Sequence, residues 1–156
     1  SNRQRTLDGT EERHNMSRPM KNGENSFQTI MNKLDLVYKM YKTEGKKLPI
    51  TIRVNISERN ADGFPGLYNF LCEKYKNLFY VYPGFVTKSD DHDCHSSTCL
   101  TFEKEAEFIL KLSKEKGIHS NKLFPEENRL LGCAAQDRNN YVVSPNGKLH
   151  KCWEDI

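Results

Sequence analysis

Apolar side chains recur along this chain with two alternating periods. Over residues 26–43, Phe27, Ile30, Met31, Leu34, Val37 and Tyr41 fall at the spacing of one helix face. Ser26 offers a hydroxyl for the N-cap and Gly45 a C-terminal stop. Residues 49–56 switch to strict alternation, with Ile50, Ile52, Val54 and Ile56 apolar, which predicts a strand. Helical spacing returns over 62–76 (Phe64, Leu67, Tyr68, Leu71, Tyr75). It returns again over 101–116 (Phe102, Ala106, Ile109, Leu110, Leu112), closed by Gly117. Short strands are predicted at 3–8 and at 78–83, the second stopped by Pro83-Gly84. A polar loop with Pro19 and Gly23 follows the first strand, and a long loop covers 85–100. The βαβαβα order predicts an α/β fold with a parallel sheet and right-handed crossovers. After residue 125 the pattern changes: two strands flank the turn Ser144-Pro145-Asn146-Gly147, a hairpin bracketed by Cys133 and Cys152.

The polar positions sharpen this picture. Thr51, Arg53 and Asn55 alternate with the isoleucines of 49–56, and Thr6 and Asp8 flank Leu7 in the same way. A parallel strand buried on both sides is apolar throughout. A barrel strand packs its outer face on helices and can present polar groups to a ligand in the lumen. Thr6, Asp8, Arg53 and Asn55 are therefore candidate ligand-facing residues. The plainer alternative is an edge strand with one wet face, Arg53 and Asn55 being spent on internal pairing. Asp8-Gly9 also suits a turn.

Composition excludes several classes. A chain of 156 residues fits one domain. Its 36% hydrophobic content and mean hydropathy of −0.80 are low for a self-sufficient globule, as expected if part of the core lies in segments outside it. A net charge of +3 does not point to nucleic acid or an anionic membrane surface. No apolar run approaches a membrane-spanning length. Five cysteines, an odd number with no secretory signal, argue against a disulfide framework and for a cytoplasmic location. Cys72 lies on an apolar helix face and reads as a core thiol.

Cys133, Gly147 and Cys152 form the pattern C-x13-G-x4-C, in which a tight hairpin brings two thiolates together as iron–sulfur and zinc sites need. This resembles the opening half of the SPASM domain, the auxiliary-cluster module of many radical S-adenosylmethionine (radical SAM) enzymes. The segment Arg5-Thr6-Leu7-Asp8-Gly9, with His14 and Arg18, resembles the fourth barrel strand and loop of the same family. Ser26–Met31, then Ile52-Arg53-Val54-Asn55-Ile56 and Asn60, resembles the helix and fifth strand that follow.

The resemblance implies the C-terminal half of a partial (β/α) barrel at 1–125 and the start of a SPASM domain at 126–156. It implies a parent enzyme that cleaves S-adenosyl-L-methionine at a [4Fe–4S] cluster to a 5′-deoxyadenosyl radical and modifies a peptide or protein. An external electron donor would serve it. Thr6 would hold the cofactor's ribose, and Arg18 would pair with its carboxylate through a planar fork of donors. Cys133 and Cys152 would ligate an auxiliary [4Fe–4S] cluster. The C-x3-C-x2-C loop of the catalytic cluster and the later SPASM cysteines are not among Cys72, Cys94, Cys99, Cys133 and Cys152. The expectation is an internal piece of a larger enzyme, inactive alone. In the sulfatase-maturing branch an Asp follows the second cysteine of this half-motif. Here Trp153 stands there, with Glu154 and Asp155 displaced, which weakens that assignment.

Two other readings compete. A non-catalytic binding or self-associating module would use the hairpin as a zinc clip. An ordinary flavodoxin-like domain is weaker, because no glycine-rich phosphate loop follows any strand. The segment His92-Asp93-Cys94-His95 with Cys99 is dense in soft ligands, but its spacing fits a substrate-facing loop better than a zinc knuckle.

Overall fold

The computed structural model describes residues 3–45, 49–86, 99–119, 134–136 and 138–152. They fall into two compact units, Ser1–Phe124 and Pro125–Ile156. The first unit is α/β. Its strands β1 (Arg3–Leu7), β2 (Ile50–Ile56) and β3 (Tyr80–Phe85) form one parallel sheet in the order β1-β2-β3. Its helices are α1 (Glu11–Ser17), α2 (Ser26–Glu44), α3 (Phe64–Tyr75) and α4 (Phe102–Lys116). The second unit carries an antiparallel hairpin of β4 (Val142–Val143) and β5 (Leu149–His150).

Alternation along the strands sorts the sheet into two faces. Ile52 pairs with Val81, Val54 with Leu7 and Pro83, and Ile56 with Phe85. Leu7, Ile52, Val54 and Ile56 are fully buried and form one core with Phe27, Met31 and Leu34 of α2 and Phe64, Leu67 and Leu71 of α3. Burying each such side chain contributes roughly 1.5–3 kcal/mol, so this face holds the unit together. The opposite face carries Gln4, Thr6, Thr51, Arg53, Asn55, Tyr80, Tyr82 and Gly84.

The helix ends follow local chemistry. Asn25 caps α2, its side chain accepting from the Gln28 N–H at 2.8 Å; Ser26, the cap expected from the sequence, is the first helical residue. Gly45 and Gly117 end α2 and α4 in left-handed conformations at φ 68° and 61°. Thr101 caps α4.

Three expectations need correction. The loop after β1 contains α1, whose only buried residue is His14, so no apolar period announces it. Glu11 and Glu12 in its first turn suit the helix dipole. Pro83-Gly84 does not stop the third strand but lies within it, and Val86 N–H extends the ladder to the Ile56 carbonyl at 3.2 Å. Pro is tolerated because β3 has a single partner strand among the described residues. The face predicted for α4 is only partly buried: Phe102 is 81% exposed and Leu110 49%, while Leu112 and Phe108 reach the core. Phe108 packs edge-on against Phe64 and Phe85.

The hairpin forms at the predicted turn. Ser144 N–H donates to the Lys148 carbonyl at 3.0 Å and Gly147 N–H to the Ser144 carbonyl at 2.9 Å, with Gly147 at φ 80°. No described helix is long and apolar enough to cross a membrane.

Candidate functional site

The polar residues singled out in β1 and β2 meet at the C-terminal ends of the strands, where open parallel sheets hold their ligands. Asp8 is the centre. Its side chain is 13% exposed and its Oδ1 accepts from Asn55 Nδ2 at 2.8 Å. Its Oδ2 forms an ion pair with Arg18 Nε. Its backbone N–H donates to His14 Nδ1 at 3.1 Å, and its carbonyl accepts from Asn60 Nδ2 at 3.0 Å.

Each partner is positioned by its own element. Asn55 projects from β2 beside β1. Arg18 follows α1, which turns the chain back over Asp8; its guanidinium is half exposed, and its terminal nitrogens have no protein partner among the described residues. His14, on α1, is fully buried and packs edge-on against Phe27 at 5.9 Å. Because Nδ1 accepts, the ring proton sits on Nε2, which is buried and makes no hydrogen bond among the described residues. Burial lowers the pKa of this imidazole; Asp8 pulls it up, and Arg18 adds to the lowering.

Asn60 ties the two strand ends together. Its Nδ2 also reaches the Asn55 carbonyl at 2.8 Å, and its Oδ1 accepts from the Ser57 N–H at 2.8 Å. Gly9, at φ 102°, permits this: a Cβ there would stand 3.1 Å from Asn60 Cβ and 3.2 Å from Nδ2. Asp8, Arg13, Met16, Ser17, Ser57, Arg59 and Asn60 line a small cavity of about 190 Å³ above these ends.

Thr6, half-buried on β1, pairs in register with Arg53, and Arg53 with Tyr82. Arg53 lies across Gly84, where a Cβ would fall 2.1 Å from its Nε. One terminal nitrogen reaches the Phe85 carbonyl at 3.4 Å, while Nε is buried without a partner among the described residues. On the other side, Tyr82 donates its hydroxyl to Gln4 Oε1 at 2.7 Å, bridging β3 to β1 over β2.

His14, Asn60, Gly9 and Gly84 belong to this arrangement although periodicity does not mark them. Gly9, His14 and Asn60 were marked instead by the order of short motifs, and Gly9 also by Asp-Gly turn chemistry; Asn60 closes its loop onto the Ser57 N–H.

Cys133, Cys94, His92 and His95 lie outside the described residues. Cys152, just after β5, is half-buried. Cys99 is disulfide-bonded, although the odd cysteine count argued against a disulfide framework. Cys72 is half-buried rather than fully in the core, and burial raises its thiol pKa. Among the described residues no three His, Cys, Asp or Glu side chains are grouped to hold a metal ion.

Comparison with protein-family models, with curated proteins and with solved structures finds no match to this chain.

Proposed function

We propose that this chain is part of a radical SAM/SPASM enzyme that modifies a peptide or protein, residues 1–125 serving as half of a partial (β/α) barrel and residues 126–156 opening the auxiliary-cluster domain. The observation that supports this most is the polar face of the sheet. Three parallel strands in sequential order carry their helices against the apolar face. Thr6, Asp8, Arg53 and Asn55 lie on the other side or at its C-terminal rim, with Arg18 folded over Asp8.

The residues fit S-adenosyl-L-methionine. The Thr6 hydroxyl can donate to or accept from ribose hydroxyls. The terminal nitrogens of Arg18, held by its Nε bond to Asp8, present two parallel donors suited to a carboxylate. When bound beside its cluster, that cofactor supplies hydrogen-abstraction chemistry on one-electron reduction. The protein's share is binding and alignment. Asp8 fixes Arg18 and Asn55 from one carboxylate, Asn60 and His14 fix Asp8, and the helix-covered face keeps water out from behind the sheet. Cys133 and Cys152 would hold an auxiliary [4Fe–4S] cluster, and an external donor would supply the electron.

The test is anaerobic production of the complete reading frame that carries this chain. Iron and sulfide would be quantified and 5′-deoxyadenosine measured with S-adenosyl-L-methionine and dithionite. Bound iron and 5′-deoxyadenosine release are expected, with Arg18→Ala raising the concentration of cofactor needed. A protein that takes up no iron and releases no 5′-deoxyadenosine would overturn the reading.

One observation favours a second reading, a non-catalytic self-associating module. Beside β3, an edge of the sheet among the described residues, a cavity of about 690 Å³ opens between Tyr68 and Cys72 of α3 and Phe79, Tyr80 and Val81. Unpaired sheet edges recruit partner strands. Concentration-dependent dimers with one zinc per chain and no iron would select this reading.

A further inference from the structure

Among the described residues Arg53 is a cation without a counter-ion. Its side chain is partly buried, and its Nε is shielded from solvent without any hydrogen bond among the described residues. Its hydrogen bonding among the described residues is a single 3.4 Å bond from a terminal nitrogen to the Phe85 carbonyl. The ion pairs of the described residues are spent elsewhere: Asp8 on Arg18, Asp35 on Lys74, Glu58 on Lys104. Glu105, whose carboxyl is pushed up by burial alone, is not its partner. A partly desolvated guanidinium without an anion is costly, and proteins keep such groups where a ligand completes them.

The surroundings hold the guanidinium in place with neutral groups. Gly84 is the strand residue over which the guanidinium lies, and any side chain there would collide with Nε. Flanking Arg53 in the same row are Thr6 and Tyr82, one hydroxyl on each neighbouring strand. The Tyr82–Gln4 bridge closes the row below, and the Asp8–Asn55 pair closes the row above. Asp8 stays neutralised by Arg18, so it does not repel an incoming anion.

We infer that Arg53, seated on Gly84 between Thr6 and Tyr82, is a carboxylate-binding site. A carboxylate matches the planar pair of terminal nitrogens of a guanidinium. The inference rests on the polar face being ligand-facing and holds whether or not radical chemistry follows. The source the site fits is an acidic peptide; S-adenosyl-L-methionine, whose one carboxylate the proposed function gives to Arg18, is the competing outcome of the test.

The experiment is a titration of the full chain followed in the arginine Nε region of ¹H–¹⁵N spectra, with the Arg53 resonance assigned by its loss in Arg53→Lys. Sodium acetate replaces sodium chloride at constant ionic strength. A saturable shift of the Arg53 resonance, several-fold larger than that of exposed Arg5 and abolished in Gly84→Ala, is expected. A shift no larger than that of Arg5 would overturn the site. Calorimetry with a glutamate-containing peptide against its glutamine counterpart, and with S-adenosyl-L-methionine against its decarboxylated analogue, identifies the source. The pair whose acid member binds at least tenfold more tightly, and loses that preference in Arg53→Gln, is the natural one. An acetate response with no binding of S-adenosyl-L-methionine would leave the site standing and remove the cofactor reading. Absence of any acid preference in both pairs would overturn the inference even with the acetate shift present.

Discussion

Asn55 donates its side-chain amide to Asp8 across the β1–β2 boundary at 2.8 Å, and this bond fixes the ends of two strands whose residues are 47 apart in sequence. The same carboxylate holds Arg18. The two bonds differ in worth. The Asn55 bond is sheltered, whereas Arg18 is half exposed and its ion pair is screened by water.

Stability should separate these roles. Asp8→Ala strands Asn55 and is expected to cost about 1–3 kcal/mol in urea unfolding. Arg18→Ala should cost less than about 1 kcal/mol. Equal losses would show that the ion pair, not the amide bond, fastens the strand ends.

Gly9 is tested by Gly9→Ala. The residue sits at φ 102°, and the added methyl would meet Asn60 Cβ at 3.1 Å. A loss of about 1–3 kcal/mol is expected. Gly23→Ala is the control, since its φ is also positive but no atom stands within 4 Å; its smaller loss isolates the contact with Asn60.

The His14 imidazole gives the protein an acid limit. Burial lowers its pKa, against the pull of Asp8 and with the help of Arg18. The unfolded chain therefore takes up a proton that the folded one resists. The associated stability is complete above the unfolded value of about 6.5 and is lost as pH falls from there through the folded value. His14→Gln should flatten the stability profile below about pH 6.5 relative to the parent; an unchanged slope would remove His14 as the cause.

Tyr75 sets the opposite limit. It is 1% exposed, donates to Asp35 Oδ1 at 2.7 Å, and its pKa is raised chiefly by burial and then by Asp35. Here the folded state keeps a proton that the unfolded state gives up. Stability is complete below the unfolded value of about 10 and falls as pH rises above it. Tyr75→Phe should cost about 1 kcal/mol at neutral pH and lessen the alkaline loss, as read by urea unfolding at pH 8 and about pH 11.

The core is tested at β2. Ile52→Ala removes a fully buried side chain from the helix-covered face and should cost about 2–5 kcal/mol. Thr51→Ala, on the opposite face of the same strand, should cost less, because it opens no cavity in that core.

Much of this architecture is written locally in the chain. Alternation at Ile50–Ile56 and the helical spacing of Phe27, Met31 and Leu34 determined those elements, because one face of each must leave water. The glycines at 45 and 117 ended their helices, because only a residue without Cβ adopts the left-handed conformation cheaply. Thr6, Arg53 and Asn55 were legible as one polar face from alternation alone. What tertiary structure decided is how those residues are used. Helix α1 owes its place to Asp8, Phe27 and Ser26, which meet His14 and Asn15 rather than repeat a local period. Pro83 stays in a strand because β3 has a single partner strand among the described residues. Arg18 reached Asp8, and Arg53 was left with Gly84 and no anion among the described residues, because charge pairing depends on which strand ends meet in space.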